Sequence, residues 1–154
     1  MIDRVNSTIY INQTNLQNAG ADLEIYTYVP AISDRHLSLE TQHNLSYINL
    51  KMNPDYTFYE IPQWTFNNTF SIIINTLKLS YSINYSDSMY SPDDIGKLHF
   101  LPSKILHNSN INYNFRNLNL GLSLSNIFDK DYQEEYGYPA PGRDFSISFE
   151  WVVF

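Results

Sequence analysis

Four histidines and two clusters of aromatic side chains are the residues with most chemistry to offer in this chain of 154. His36, His43, His99 and His107 are scattered over a turn, a strand, a loop and another strand, and none has a partner at metal-ligand spacing. Structural roles are therefore expected for all of them, and no metal site. The absence of cysteine excludes disulfides, zinc thiolates and thiol nucleophiles. No G-x-S-x-G, P-loop or G-x-G-x-x-G is present, so the chain is expected to be neither an enzyme nor a cofactor binder. What remains is recognition through aromatics. Tyr56, Phe58, Tyr59 and Trp64 form one cluster, and Met89, Tyr90, His99 and Phe100 the next. Exposed rings can stack on a ligand, which makes Tyr56, Tyr59, Tyr90, His99 and Phe100 candidate contacts. They can equally form a girdle at lipid headgroup level, the reading favoured for Trp64.

Composition narrows the setting. Charged residues make up 16%, below the roughly 25% usual in soluble domains. Hydrophobic residues reach 43%, with 13 Tyr and 9 Phe, residues that favour strands. A net charge of -7 argues against nucleic acid as a partner, because that needs clustered Lys and Arg. No apolar run approaches the roughly 18 residues of a membrane-spanning helix. Met1-Ile2-Asp3-Arg4 lacks the basic and apolar regions of a signal peptide, so an exported form is expected to derive from a longer precursor.

The elements that must position these residues are strands, because the dominant period is two. Leu118, Leu120, Leu122 and Leu124 alternate with Asn119, Gly121, Ser123 and Ser125. Leu77, Leu79, Tyr81, Ile83 and Tyr85 alternate with Lys78, Ser80, Ser82, Asn84 and Ser86, and Phe145 to Val153 repeats the pattern. Successive side chains of a strand point to opposite faces, so each segment has an oily and a polar side. Weaker alternation elsewhere gives about eight antiparallel strands, near 3–12, 20–30, 36–50, 64–75, 77–87, 103–116, 118–126 and 143–154. Connections alternate between short (Pro30 to His36, Asn75-Thr76, Arg116-Asn117) and long (Asn12 to Ala19, Lys51 to Gln63, Asp87 to Ser103, Asn126 to Gly142). Short periplasmic turns opposite long extracellular loops are the pattern of a transmembrane β-barrel. A soluble sandwich or lipocalin-like barrel has an oily face too. The membrane version is favoured by the Asn/Ser/Thr/Gly polar face, the long strands and the one-sided loops.

The C-terminal part adds a resemblance. Asn126-Ile127-Phe128-Asp129-Lys130-Asp131-Tyr132 resembles the N-[LI]-F-D-K-x-Y element of TonB-dependent receptors. Tyr136-Gly137-Tyr138-Pro139-Ala140-Pro141-Gly142-Arg143 is similar to the G-Y-P-x-P-G-R that precedes their last strand, and Phe154 is a terminal aromatic as in outer-membrane barrels. Gly20-Ala21-Asp22-Leu23-Glu24 resembles a G-x-E-L-E strand of the same family. Within this motif Asn126 and Asp129 are expected to cap a turn. Pro139 and Pro141 are expected to stiffen the loop and Gly142 to take a positive φ. Arg143 has Asp129, Glu134 and Glu135 as possible partners. A loop-shaping role is favoured for the whole set over substrate contact. The family pattern places its terminal aromatic at the position of Val153, so Phe154 departs from it by one residue.

The resemblance implies the C-terminal segment, residues 1–154 as one unit, of a strongly curved barrel of about 22 strands. It also implies a plug domain and a TonB-contacting box, and neither fits in this chain. Its partners would be outer-membrane lipid, the plug and strands of the parent receptor, and the barrel-assembly machinery at the last strand. TonB would be reached only through the N-terminal part. The parent would import a siderophore, haem, cobalamin or similar nutrient across the bacterial outer membrane, and this chain alone would import nothing. Two alternatives stay open. One is a self-contained eight-stranded barrel with a structural or adhesive role, and the other a soluble binder of an apolar ligand.

Overall fold

The computed structural model describes residues 2–6, 9–12, 17–30, 36–51 and 60–151. Its elements are β1 (Ile2–Asn6), β2 (Ile9–Asn12), β3 (Gln17–Val29), β4 (Leu37–Lys51), β5 (Trp64–Ile74), β6 (Leu77–Ser86), β7 (Met89–Pro92), β8 (Leu98–Leu101), β9 (Lys104–Phe115), β10 (Leu118–Ser125), β11 (Gln133–Glu135), β12 (Tyr138–Pro139) and β13 (Asp144–Trp151). No helix occurs among the described residues. Seven strands form one sheet in the order β3-β4-β5-β6-β9-β10-β13, and every pairing in it is antiparallel. The other six make three separate hairpins, β1–β2, β7–β8 and β11–β12.

The pairing register explains why the alternation matters. Residues paired across an antiparallel ladder share a face, so a row can be followed from edge to edge. Val29, Leu39, Ile72, Leu79, Ile111, Leu122 and Ile147 form one such row, aliphatic in all seven strands. The adjacent row, one residue along each strand, is Tyr28, Glu40, Ser71, Ser80, Asn110, Ser123 and Ser146. The sheet therefore has one apolar and one polar face. The polar face is tied internally: the Ser71 and Ser80 hydroxyls lie 2.9 Å apart, and Lys78 Nζ reaches across β5 to Glu40 Oε2 at 2.5 Å.

The apolar face contains a few polar side chains, and they satisfy one another. His43 Nδ1 meets Asn68 Oδ1, and its Nε2 lies 3.2 Å from Thr41 Oγ1. Because an amide oxygen only accepts, Nδ1 is the donor to Asn68. The Tyr81 hydroxyl is 2.6 Å from His107 Nδ1. At the loop end of β4 and β5 the Tyr47 and Trp64 rings pack 4.4 Å apart.

Among the described residues, no second layer covers either face. Among the described residues only Met89 and Leu101 are buried apolar side chains, and they face each other in the β7–β8 hairpin. Ile147, Phe149 and Trp151 are 72%, 64% and 67% exposed. A soluble domain would bury such a row, at about 1.5–3 kcal/mol for each large side chain.

Several expectations need correction. The segment 3–12 is not one strand of the sheet: it folds on itself as β1–β2, so the sheet has seven strands rather than eight. The sheet is not closed: β3 and β13 are edges with one neighbour each. Two of the long connections contain structure of their own, β7–β8 within 87–103 and β11–β12 within 126–142. The terminal residues Val153 and Phe154 lie outside the described residues, and so does the question of their register.

The end of β3, the start of β4 and the turns 75–76 and 116–117 lie at one end of the sheet, with the hairpins β7–β8 and β11–β12 in the connections at the other. Asn75 and Arg116 open their tight turns with φ of 53° and 52°. Asn tolerates that region well, and Arg does so only at a cost. With seven alternating strands, the two edges β3 and β13 run in the same direction.

Candidate functional site

The chain leaves β10 into the Asn126–Arg143 segment through a turn that the asparagine side chain organises. Asn126 is 4% exposed and has φ 49°. Its Nδ2 donates to the Lys130 carbonyl and its Oδ1 accepts from the Lys130 amide, both at 2.9 Å. The Asn126 amide donates to Asn108 Oδ1 at 3.0 Å, which ties the turn to β9. Asp129, with φ 54°, then accepts from the Arg143 amide at 2.7 Å, so one carboxylate closes the whole excursion where β13 begins. The Arg143 guanidinium is 4.0 Å from Asp129, with both side chains more than half exposed, and such a pair adds little.

Gly142 does not adopt a positive φ, contrary to expectation; that region is taken by Gly137, with φ 85°. What Gly142 supplies is space. A Cβ there would lie 2.6 Å from Asp129 Oδ1, the atom that holds Arg143. Phe128 is 69% exposed and meets the His107 ring edge-on at 4.7 Å. Tyr138 and Pro139 form β12 against β11, with Tyr138 exposed, and Pro141 is exposed beyond them.

The loops are joined at Ser91. Its side chain is fully buried, donates to Glu60 Oε1 and accepts from the Tyr136 amide, each at 2.9 Å. The Glu60 amide returns a bond to the Tyr90 carbonyl at 2.7 Å. Beside this junction the His99 ring stacks on Tyr136, 3.6 Å apart and 6° from parallel, while its Nε2 lies 2.9 Å from Asp93 Oδ2.

The hydrogen bond from His99 is the main cause that holds the Asp93 carboxyl below its ordinary pKa; desolvation opposes it, and the Lys97 and Ile95 amides add to it. A depressed carboxylate stabilises the fold above its unfolded pKa, near about 3.9, and that contribution fades as pH falls through the lower folded value. His99→Phe keeps the stack and removes the donor. Asp93 is then expected to titrate at higher pH in a carboxylate-detected NMR titration, and an unchanged titration would show that His99 does not hold it.

The aromatic candidates divide between two sides of the β7–β8 hairpin. Tyr90 and Phe100 face each other with ring centroids 5.8 Å apart, and His99 lies opposite Ser91 on the other side. Tyr56 and Tyr59 lie outside the described residues. Phe100, Tyr132 and Tyr136 contribute to one cavity of about 450 Å³ between the segments 100–104 and 130–140. A hollow of about 510 Å³ beside edge strand β3 is lined by Gly20, Asp22 and Ser46 among others, and Asp22 is the one charge in its lining among the described residues.

The charged residues lining the first cavity are Lys104, Lys130 and Asp131, and of these Lys104 is the buried one. It is 8% exposed, its ammonium lies 2.5 Å from Glu134 Oε2 and its Nζ sits 4.9 Å from the centre of the Tyr132 ring. The contact with Glu134 is one of charge rather than an aligned hydrogen bond. Burial first, and the Glu134 charge second, raise the Tyr132 phenol above its ordinary pKa, so it stays protonated.

Sequence reasoning did not single out Glu60, Ser91 or Lys104, and it named Glu134 only as a possible partner of Arg143. Ser91 and Glu60 have no signal in a serine-rich chain. Lys104 had one, as a cation placed by period two on the otherwise neutral polar side of β9.

Neither a family model nor a curated protein matches this chain. Among solved structures it is similar to the FrpB iron transporter from Neisseria meningitidis (F3-3 variant), with a TM-score of 0.59 at 13% sequence identity. The match covers 91% of this chain and 29% of that one, so this chain spans less than a third of the transporter's length. At that identity the likeness establishes a shared antiparallel β-fold over part of a larger protein.

Proposed function

We propose that this chain is the C-terminal arc of the barrel wall of a TonB-dependent outer-membrane transporter, whose cargo is a scarce nutrient such as a siderophore, haem or cobalamin. The observation that carries this reading is a two-faced sheet that packs neither face into a core and leaves both edges unpaired. In this reading the apolar rows meet outer-membrane lipid and the Asn/Ser rows face a watery lumen. Each backbone group unpaired in hydrocarbon costs several kcal/mol, so the wall has to be completed. Self-closure does not do this antiparallel, because β3 and β13 run the same way and would meet in parallel. An odd number of further strands restores the alternation. The partial coverage of a longer iron transporter agrees with an arc of this kind.

Plug, TonB contact and remaining wall would come from sequence outside these 154 residues, with the barrel-assembly machinery engaging the C-terminal strand. The chain performs no enzymatic step. A self-contained eight-stranded barrel would require the β1–β2 hairpin to open and contribute a strand, and a soluble binder would require the aliphatic row to be covered.

The test is to express the chain behind a signal peptide in a strain without its own receptors, with ferric siderophores, haem or cobalamin limiting. No growth is expected from the chain alone, and TonB-dependent growth once the upstream plug-bearing segment is supplied with it. TonB-dependent growth on this chain by itself would overturn the reading.

A further inference from the structure

We infer that the cavity beneath Phe100 and Tyr136 binds a small ligand carrying an anionic group on a flat ring, and that Glu134 is the internal carboxylate such a ligand displaces. The volume of about 450 Å³ is in the range of small-molecule sites. Its walls supply flat surfaces: Tyr136 is held on one side by the stacked His99 and borders the cavity together with Phe100 and Tyr132. Its charged lining is Lys104, Lys130 and Asp131, two cations to one carboxylate; only Lys104 is more than nine-tenths buried, with an ammonium withdrawn from solvent and lacking an aligned hydrogen bond among the described residues.

A buried ammonium needs an anion. Its ion-pair partner, Glu134, belongs to the short β11–β12 hairpin and is itself 64% exposed, so it can swing into water at little cost, whereas the lining carboxylate Asp131 makes no ion pair with Lys104 among the described residues. Lys104, by contrast, is fixed on β9 between the sheet and Tyr132. A buried cation whose counter-ion is exposed leaves the place of that carboxylate open to exchange. Exchange of carboxylate for ligand keeps the lysine paired and releases the hairpin from it. A neutral ring would gain only the stacking, and a small aliphatic anion only the charge.

The role of this site as a nutrient subsite rests on the transporter reading, while the binding does not. The full chain, folded in detergent micelles, is titrated with benzoate, benzamide and acetate by saturation-transfer NMR. Benzoate is expected to bind about tenfold more tightly than benzamide, as a charge-assisted contact allows, with no saturable binding of acetate. Glu134→Gln removes the competitor and should tighten benzoate roughly tenfold while leaving benzamide unchanged. Lys104→Met should reduce benzoate to the level of benzamide. If Lys104→Met does not fold, the exposed Glu134→Gln decides alone. Unchanged benzoate binding in Glu134→Gln, or acetate binding as well as benzoate, would overturn the proposal. Loss of this pattern with growth intact in the two-segment strain would remove the subsite and leave the transporter reading; the pattern without growth would do the reverse.

Discussion

If this sheet is the arc of a barrel wall proposed above, Leu122→Arg is expected to destabilise the completed barrel in lipid vesicles by roughly 2–4 kcal/mol, the cost of placing a cation on a barrel's lipid face near the bilayer midplane. Leu122 sits between Ile111 and Ile147 in the aliphatic row that crosses all seven strands. A guanidinium there has no partner in the row and either stays in hydrocarbon or drags water toward it. Ser123, the next residue, is paired with Asn110 and Ser146 on the opposite face. Ser123→Arg should therefore change stability by no more than about 0.5 kcal/mol, as surface substitutions usually do. Denaturant titrations followed by Trp64 and Trp151 fluorescence measure both. Equal costs at the two neighbouring positions would refute the assignment of the faces.

The second large effect is expected at Asn126. Asn126→Ala removes both side-chain bonds to Lys130, so the Lys130 peptide N–H and C=O lose the partner that the buried Asn126 side chain supplies. It also places a Cβ without a polar group at φ 49°, where asparagine is tolerated and alanine is strained. Together these should cost about 2–4 kcal/mol. Asn126→Gly loses the same bonds without the strain, and should be about 1 kcal/mol milder. If alanine and glycine give the same stability, the backbone conformation contributes nothing. If both match wild type, Asn108 and Asp129 hold the turn without the asparagine side chain. Either result is read from the same denaturation curves.

The two faces of the sheet were legible because period-two alternation is a local property. Leu120 and Gly121 declare opposite sides whatever their partners are. The seven strands of the sheet were found within a few residues for the same reason, and the Asn126/Asp129 turn because its capping residues lie close in sequence. The fate of segment 3–12 was not legible. The alternation of Val5, Ile9 and Ile11 fits a single strand as well as a paired β1–β2, and alternation does not report which neighbour a strand chooses. Closure was unreadable for a related reason, since no residue of β3 or β13 encodes what pairs with its free edge. The loop junction was hidden because Ser91 meets Glu60 and Tyr136 at separations of 31 and 45 residues. The role of Gly142 was misassigned because a glycine in a turn suggests backbone freedom, whereas here it leaves room for a carboxylate.

The strand order of the sheet repeats the order of the chain, with β7–β8 and β11–β12 folded out as insertions. Each ladder thus joins segments that follow one another, and the entropy lost in bringing them together grows only with the logarithm of the intervening length. Formation can zip from hairpin to hairpin, starting where a two-residue turn makes the first contact inexpensive, as between β5 and β6 or β9 and β10. No such advantage exists for the seam at which β13 would meet the far end of a complete wall. That contact joins segments most distant along the polypeptide and offers no binding energy until nearly everything else is in place. The seam should accordingly be the slow, late step of assembly, and the population awaiting it should be a preformed arc much like the one described here.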